Sequence, residues 1–170
     1  LASIATAMEL NIDFQAAANA LAHFTGAKRR YQLIGTFNQI SIVDDYAHHP
    51  TEIKATIDAA RSVHQGRIIV VFQPHRYTRT RMLGAQLGQA LVGADLCIVT
   101  EIYAAGESSI PGVNGKTIAE AAQKAGGRCI FLSSFDEMEH YLLQNARACD
   151  LIITMGAGDI WKLGHKVIIK

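Results

Sequence analysis

Two short polar runs stand out in an otherwise apolar chain. The first is DDYAHHP, Asp44 to Pro50, where two carboxylates, a phenol and two imidazoles crowd into the stretch before a proline. The second is QPHRYTRTR, Gln73 to Arg81, which gathers His75 with Arg76, Arg79 and Arg81. Imidazole changes charge near neutrality and is the commonest side chain for taking up a proton. Guanidinium offers a planar fork that fits carboxylate or phosphate. The two runs therefore hold the parts for proton transfer beside a gripped anion.

Both runs end apolar, β-branched stretches. Five such stretches recur: QISIVDDY, GRIIVVFQ, ADLCIVTEIY, GRCIFLS and CDLIITMGAG. Continuous apolar runs of this length are strands buried on both faces, hence a parallel sheet. The spacing between them predicts helices over Pro50–His64, Thr78–Val92, Lys116–Ala125, Ser134–Asn145 and Ile160–Val167. In the fourth, Phe135, Met138, Tyr141 and Leu142 recur at helical spacing, with Ser133 or Ser134 as the cap. The alternation predicts a doubly wound, mostly parallel, Rossmann-like α/β fold. RRYQLIG, before the first strand across TFNQ, predicts one antiparallel edge strand in a hairpin. Residues 1–26 are Ala-rich and offer no strand. They read as two helices, capped by Asp13 and stopped by Gly26, that belong to or lean on something outside the α/β unit of 27–170.

In such a sheet, ligands bind beyond the carboxyl ends of the strands near the switch point. Asp44, Asp45, Tyr46, His48 and His49 fall at one such end, and Pro50 suits the first turn of the helix that follows. Capping and turn chemistry is the competing reading, but caps do not need two acids and two histidines together. Near Thr78 the arginines would meet the positive end of a helix, at about 0.3–1 kcal/mol for each unfavourable placement. An anion held among them and the free backbone N–H groups would offset that. A solvated basic patch, or pairing with Asp44 and Asp45, is the alternative. Lys28, Arg29 and Arg30 lie where the helical segment meets the α/β unit, either reaching a shared ligand or simply solvated.

Other features narrow the class. With 170 residues, 49% apolar and 18% charged, the chain is globular, and a net charge of +1 argues against general nucleic-acid or membrane attraction. Cys97, Cys129 and Cys149 lie far apart in apolar surroundings, which predicts reduced thiols and a cytoplasmic protein. There is no apolar run of about 18 residues and no signal-like start. An opening Leu1 predicts a processed or truncated chain. GVNGKT, Gly112 to Thr117, lacks phosphate-loop spacing and a preceding strand, and GAGDI, Gly156 to Ile160, lacks the full dinucleotide spacing. His48 and His49 are adjacent and have no third ligand spaced for a metal, so none is expected on this chain. His23, His64, His140 and His165 read as surface or packing residues.

DDYAHHPTE with PHRYTRTR, and with IYAAGE, PGV and GAGDI further on, resembles the C-terminal domain of the Mur ligases over the whole chain. Sister ligases share only the shorter D-Y-A-H-x-P theme. The HRYTRT string is similar to the branch that joins L-alanine to UDP-N-acetylmuramate, and is not expected in the ligase that recycles murein peptides. The resemblance implies that residues 1–26 end a central ATP-binding domain on which the 27–170 domain docks. It also implies that the phosphate-loop lysine and the magnesium ligands lie outside this chain, so the fragment alone is inactive. It implies a cytoplasmic enzyme of peptidoglycan synthesis: ATP phosphorylates the lactyl carboxylate, and the alanine amine attacks the acyl phosphate. By the same resemblance Arg76 and Arg79, with His75, hold the carboxylate of alanine and the developing charge. Tyr46 and His48 orient the amine, His48 takes the proton, Asp45 meets the nucleotide ribose and Arg30 reaches the phosphates on closure. A non-catalytic nucleotide- or anion-binding α/β module is the rival class. A ligand-free interaction domain follows only if the two clusters pair with each other.

Overall fold

The computed structural model describes residues 1–24 and 26–168. Its sheet has six strands: β1 (Gln32–Phe37), β2 (Ile40–Asp45), β3 (Ile68–Phe72), β4 (Leu96–Val99), β5 (Cys129–Phe131) and β6 (Leu151–Met155). They lie in the order β1-β2-β6-β3-β4-β5. All neighbours are parallel except β1, which pairs antiparallel with β2. The helices are α1 (Ala2–Glu9), α2 (Phe14–Ala22), α3 (Pro50–Val63), α4 (Tyr77–Leu91), α5 (Gly115–Lys124), α6 (Phe135–Asn145) and α7 (Trp161–Ile168).

The strand period of two splits the core into two layers. Ile68, Val70 and Phe72 of β3 pack with Ile53, Ile57, Leu87, Leu91 and Ile118 from α3, α4 and α5. Ile69 and Val71 pack on the other face with Met138, Leu142, Leu163 and Val167 from α6 and α7. Each such buried side chain contributes about 1.5–3 kcal/mol. The helices after β2 and β3 thus cover one face and the helix after β6 the other. Because β6 lies between β2 and β3, the winding reverses where the three carboxyl ends meet, and a crevice forms there.

Several boundaries differ from the sequence reading. β1 continues through Thr36 and Phe37, so the hairpin turn is only Asn38–Gln39, both left-handed with φ 47° and 63°. β4 stops at Val99, and Tyr103 instead forms an isolated bridge with His75. α2 ends at Ala22, before Gly26. Asp13 and Ser134 do cap α2 and α6. α1 and α2 contain no buried residue, and Leu10, Phe14 and Phe24 are exposed.

Candidate functional site at the carboxyl rim

The end of β2 is held by an internal ion pair. Arg29 Nε donates to Asp44 Oδ2 at 2.8 Å, and Thr154 Oγ1 of β6 donates to Asp44 Oδ1 at 2.7 Å. The rest of the guanidinium reaches over the turn after β6, with Nη1 on Gly158 O (3.1 Å) and Nη2 on Gly156 O (2.6 Å). Its Cζ lies 5.1 Å from the centre of the Tyr46 ring, within cation–π range. Gly156, at φ 147°, passes so close to β3 that a Cβ would stand 2.7 Å from Gln73 O. Asp45 points the other way, as strand alternation requires. Its Oδ2 accepts from Tyr31 N (2.7 Å) and its Oδ1 from Ala47 N (2.8 Å). Asp44 and Asp45 are both buried, where an unpaired carboxylate would be costly. The linker is thereby fastened across the ends of β2 and β6, with Arg29 and Tyr31 in left-handed backbone.

Beyond Asp45 the chain turns into α3. His49 is the N-cap: its Nδ1 accepts from Thr51 N at 3.4 Å, and Pro50 opens the helix. Glu52 Oε2 accepts from His48 N (3.0 Å) and His49 N (3.2 Å). Burial works against the Glu52 carboxylate. The His48 amide, the charge of His48, the His49 amide and nearby Arg30 outweigh it and hold the pKa below the ordinary glutamate value. His48 Nδ1 lies 3.0 Å from Tyr46 O and 3.5 Å from Glu52 Oε2. Both neighbours only accept, so in the neutral ring Nδ1 carries the hydrogen and Nε2 keeps its lone pair.

The second cluster begins at the end of β3. Buried Gln73 donates from Nε2 to Asp159 Oδ1 (2.9 Å) and accepts at Oε1 from Ile160 N (3.2 Å), tying β3 to the turn after β6. The His75 ring stacks on Tyr103, 5.6 Å between centres and 11° between planes, and lies 6.0 Å from the His48 ring. Arg79 Nη1 is 3.3 Å from His75 Nδ1. A guanidinium only donates, so Nδ1 accepts and the His75 hydrogen sits on Nε2. Burial, then the charges of Arg79, His48 and Arg76, push the His75 pKa down, with Glu107 opposing. Arg76 is the N-cap of α4 in a left-handed conformation, φ 72°, and makes no side-chain cap.

The carboxyl rim collects Tyr46, His48, His75 and the arginines at positions 76 and 79, and it places Asp45 at the same end of the sheet as Arg79. Arg30 is exposed on the linker and contributes to lowering the Glu52 pKa, while Arg29 is committed to Asp44. One expectation is corrected. The Thr78 N–H in the first turn of α4 is not left for a ligand, because it donates to Glu107 Oε2 (2.9 Å) while Thr78 Oγ1 donates to Glu107 Oε1 (2.6 Å). Nor do the clusters neutralise each other, since Asp44 pairs with Arg29 and Asp45 with backbone amides. Arg81 lies apart, at a recess between α4 and α5 beside Gly112 and Val113. Among the described residues no three His, Cys, Asp or Glu side chains form a metal cage, so they do not by themselves fit a magnesium site. No helix among them is long and apolar enough to cross a membrane. The sequence reading left Arg29 in an undivided basic run, took Tyr103 and Glu107 only as part of IYAAGE, and missed Thr154. A threonine inside the apolar run LIITM was the available signal for Thr154.

Comparison with known proteins bears on this rim. Residues 29–158 match the family model described as "Mur ligase, glutamate ligase domain". A UDP-N-acetylmuramate–L-alanine ligase from Syntrophomonas wolfei is 55% identical over 99% of this chain and 36% of its own length. The ligase of the same name from Desulforamulus reducens is 49% identical over 99% of this chain and 37% of its own. The chain therefore spans little more than a third of these curated relatives. Among solved structures, the UDP-N-acetylmuramate–alanine ligase of Thermotoga maritima superposes with a TM-score of 0.81 at 28% identity, covering 98% of this chain and 35% of that one. A murein peptide ligase from Psychrobacter arcticus reaches 0.68 at 28% identity, over 98% of this chain and 34% of that one.

Proposed function

Because this chain belongs to the Mur ligase family, as a C-terminal part, we propose that it serves the ATP-dependent ligase that joins L-alanine to UDP-N-acetylmuramate in cytoplasmic peptidoglycan synthesis. The observation that carries this reading is an acceptor imidazole and an open guanidinium that both neighbour the His75 ring. His48 Nε2 is free to accept, and Arg79 has only the neutral His75 ring as a partner among the described residues. In this reading a small zwitterion sits between them. Its carboxylate meets Arg79, Arg76 and the His75 Nε2–H, while its ammonium gives a proton to His48, with Tyr46 beside that ring at 5.3 Å. The freed amine then attacks the acyl carbon of the phosphorylated lactyl group. The C–N bond forms, the C–O bond to phosphate breaks, and the departing phosphate takes the second proton that the nitrogen sheds in becoming an amide.

Phosphorylation of the lactyl carboxylate belongs in this reading to ATP and magnesium on a central domain, to which residues 1–26 are assigned. Their exposed Leu10, Phe14 and Phe24 want such a cover. On the α/β side, Arg30 is free to reach the phosphates. Asp45 keeps a second lone pair on each oxygen for a ribose hydroxyl. The 55% and 49% identity to curated alanine ligases supports alanine over the recycling reaction. In the complete enzyme, Arg79→Ala should raise the KM for alanine about 30-fold, the scale of one lost charge-assisted hydrogen bond, and leave that for ATP within about twofold. An unchanged alanine dependence removes the assignment.

A further inference from the structure

The loop between β4 and α5 is fastened to the start of α4 at three points. Tyr103 N donates to Pro74 O (2.8 Å), Arg76 N donates to Tyr103 O (2.9 Å), and Thr78 donates twice to Glu107. Left-handed Ala105 and Gly106, φ 51° and 83°, fold the loop back so that Glu107 arrives over the helix end. α4 needs that visitor. Its own N-cap is Arg76, and a guanidinium cannot accept an N–H. The same loop sets the plane of His75 through Tyr103 and places a carboxylate beside Arg76. Glu107 Oε1 stands 3.5 Å from Arg76 Nη1, longer than the roughly 2.7–2.9 Å of a tight charge-assisted bond. The Arg76 side chain is 47% exposed, so its guanidinium is parked without being locked.

We propose that Glu107 is a positioning residue of the carboxylate grip. Its carboxylate occupies the Thr78 N–H at the α4 N-terminus and sets a negative charge there against a ligand anion, and it holds Arg76 toward the rim shared with His75 and Arg79. An incoming carboxylate is thereby directed onto the guanidiniums instead of the helix end. This rests on the reading that Arg76 and Arg79 take the carboxylate of the amino acid.

The test is Glu107→Gln in the complete enzyme. The amide keeps an acceptor oxygen for Thr78 and nearly the same shape but loses the charge that holds Arg76. We expect the KM for alanine to rise about two- to fivefold, as for one exposed ion pair, with kcat and the KM for ATP within about twofold. In an Arg76→Ala background the same change should add nothing, because no guanidinium remains to be held. An unaltered alanine KM in the Arg76-containing enzyme overturns the proposal, as does an equal rise in both backgrounds. Should Glu107→Gln fold poorly, Thr78→Val separates the two roles. It weakens the cap but keeps the charge beside Arg76, so it should lower the thermal midpoint without moving the alanine KM; a raised KM there also overturns the proposal. Failure of the underlying reading looks different: Arg79→Ala itself would leave alanine dependence unchanged.

Discussion

The two rims of the sheet use the same side chains to opposite ends. At the amino rim, Arg67 closes on Asp150 with two bonds, Nε to Oδ1 at 3.0 Å and Nη2 to Oδ2 at 2.6 Å. Arg61 closes on Asp95 at 2.6 Å, and that carboxylate also accepts from Ile68 N at 2.7 Å. At the carboxyl rim, among the described residues, only Arg29 is closed in this way. Arg76 has one long contact and Arg79 a neutral ring. Arginine identity therefore does not separate architecture from binding. What separates them is whether the chain supplies the partner carboxylate itself. A fold that pairs its cations at one end and leaves them open at the other departs from internal consistency where a ligand is to complete the set.

The contrast breaks if the two rims respond alike to losing an arginine. Arg67→Ala leaves Asp150 with the Arg147 amide alone and, since Arg67 is itself partly exposed, should cost about 2–3 kcal/mol, a fall in thermal midpoint of about 5–10 °C. Arg79→Ala should move the midpoint by no more than about 1–2 °C, as a substitution without an internal partner does. Equal losses in the two melting curves would place both arginines in the architecture. The amino rim also has an acid signature. Burial opposes the Asp95 carboxylate, but the Ile68 amide and the Arg61 and Arg67 guanidiniums hold its pKa below the ordinary aspartate value. Its contribution is present above that value and drains away as pH falls through the lower folded one.

Arg29 sits at the functional rim but is wired like the opposite one, which sharpens the comparison. Arg29→Ala leaves Asp44 with Thr154 alone. It should cost about 2–3 kcal/mol, less than a fully buried pair because Arg29 keeps some exposure. The loss should be local before it is global. Tyr31 N and Tyr46 N, which bond Asp45 and Arg29 O, should exchange faster with solvent, while Ile69 to Val71 in β3 stay protected. Arg29→Lys should behave almost as badly, since an ammonium cannot span Asp44 and two carbonyls at once. Uniform acceleration across the sheet would mean that Arg29 holds the fold and not the linker.

Much of this could be read from residues alone, and what could not has a physical reason. Continuous apolar runs announced the buried parallel strands. Polar residues following them announced the rim, because a side chain past a strand end is the first one free of both layers. Asp44 and Asp45 part company by strand alternation, and that too was inferable. The run Lys28–Arg30 does not say which cation folds inward. Left-handed backbone at Arg29 decides it, and local propensity at an arginine gives no hint of φ 58°. As a cap, Glu107 was invisible for another reason. It stands 29 residues from the helix it caps, and capping rules look only to the neighbouring sequence.

The smallest expected effect is the most direct probe of the open rim. His75 titrates below the usual imidazole value of 6.5, first through burial and then through Arg79, His48 and Arg76. Glu107 pulls the other way, and Tyr103 covers one ring face. Because the folded value lies below the unfolded one, His75 takes no stability away at neutral pH; below 6.5 stability is lost until the folded ring protonates. Arg79→Ala removes a like charge and a donor to Nδ1, so the His75 pKa should move up. Glu107→Gln removes the only opposing charge named above and should move it further down. Ring-proton NMR across a pH titration reads both signs in one residue. Opposite shifts would show a guanidinium and a carboxylate competing for control of the same imidazole. An unmoved His75 in the Arg79→Ala protein would mean that the guanidinium is not held against the ring, leaving the carboxyl rim without the open cation that distinguishes it from the amino rim.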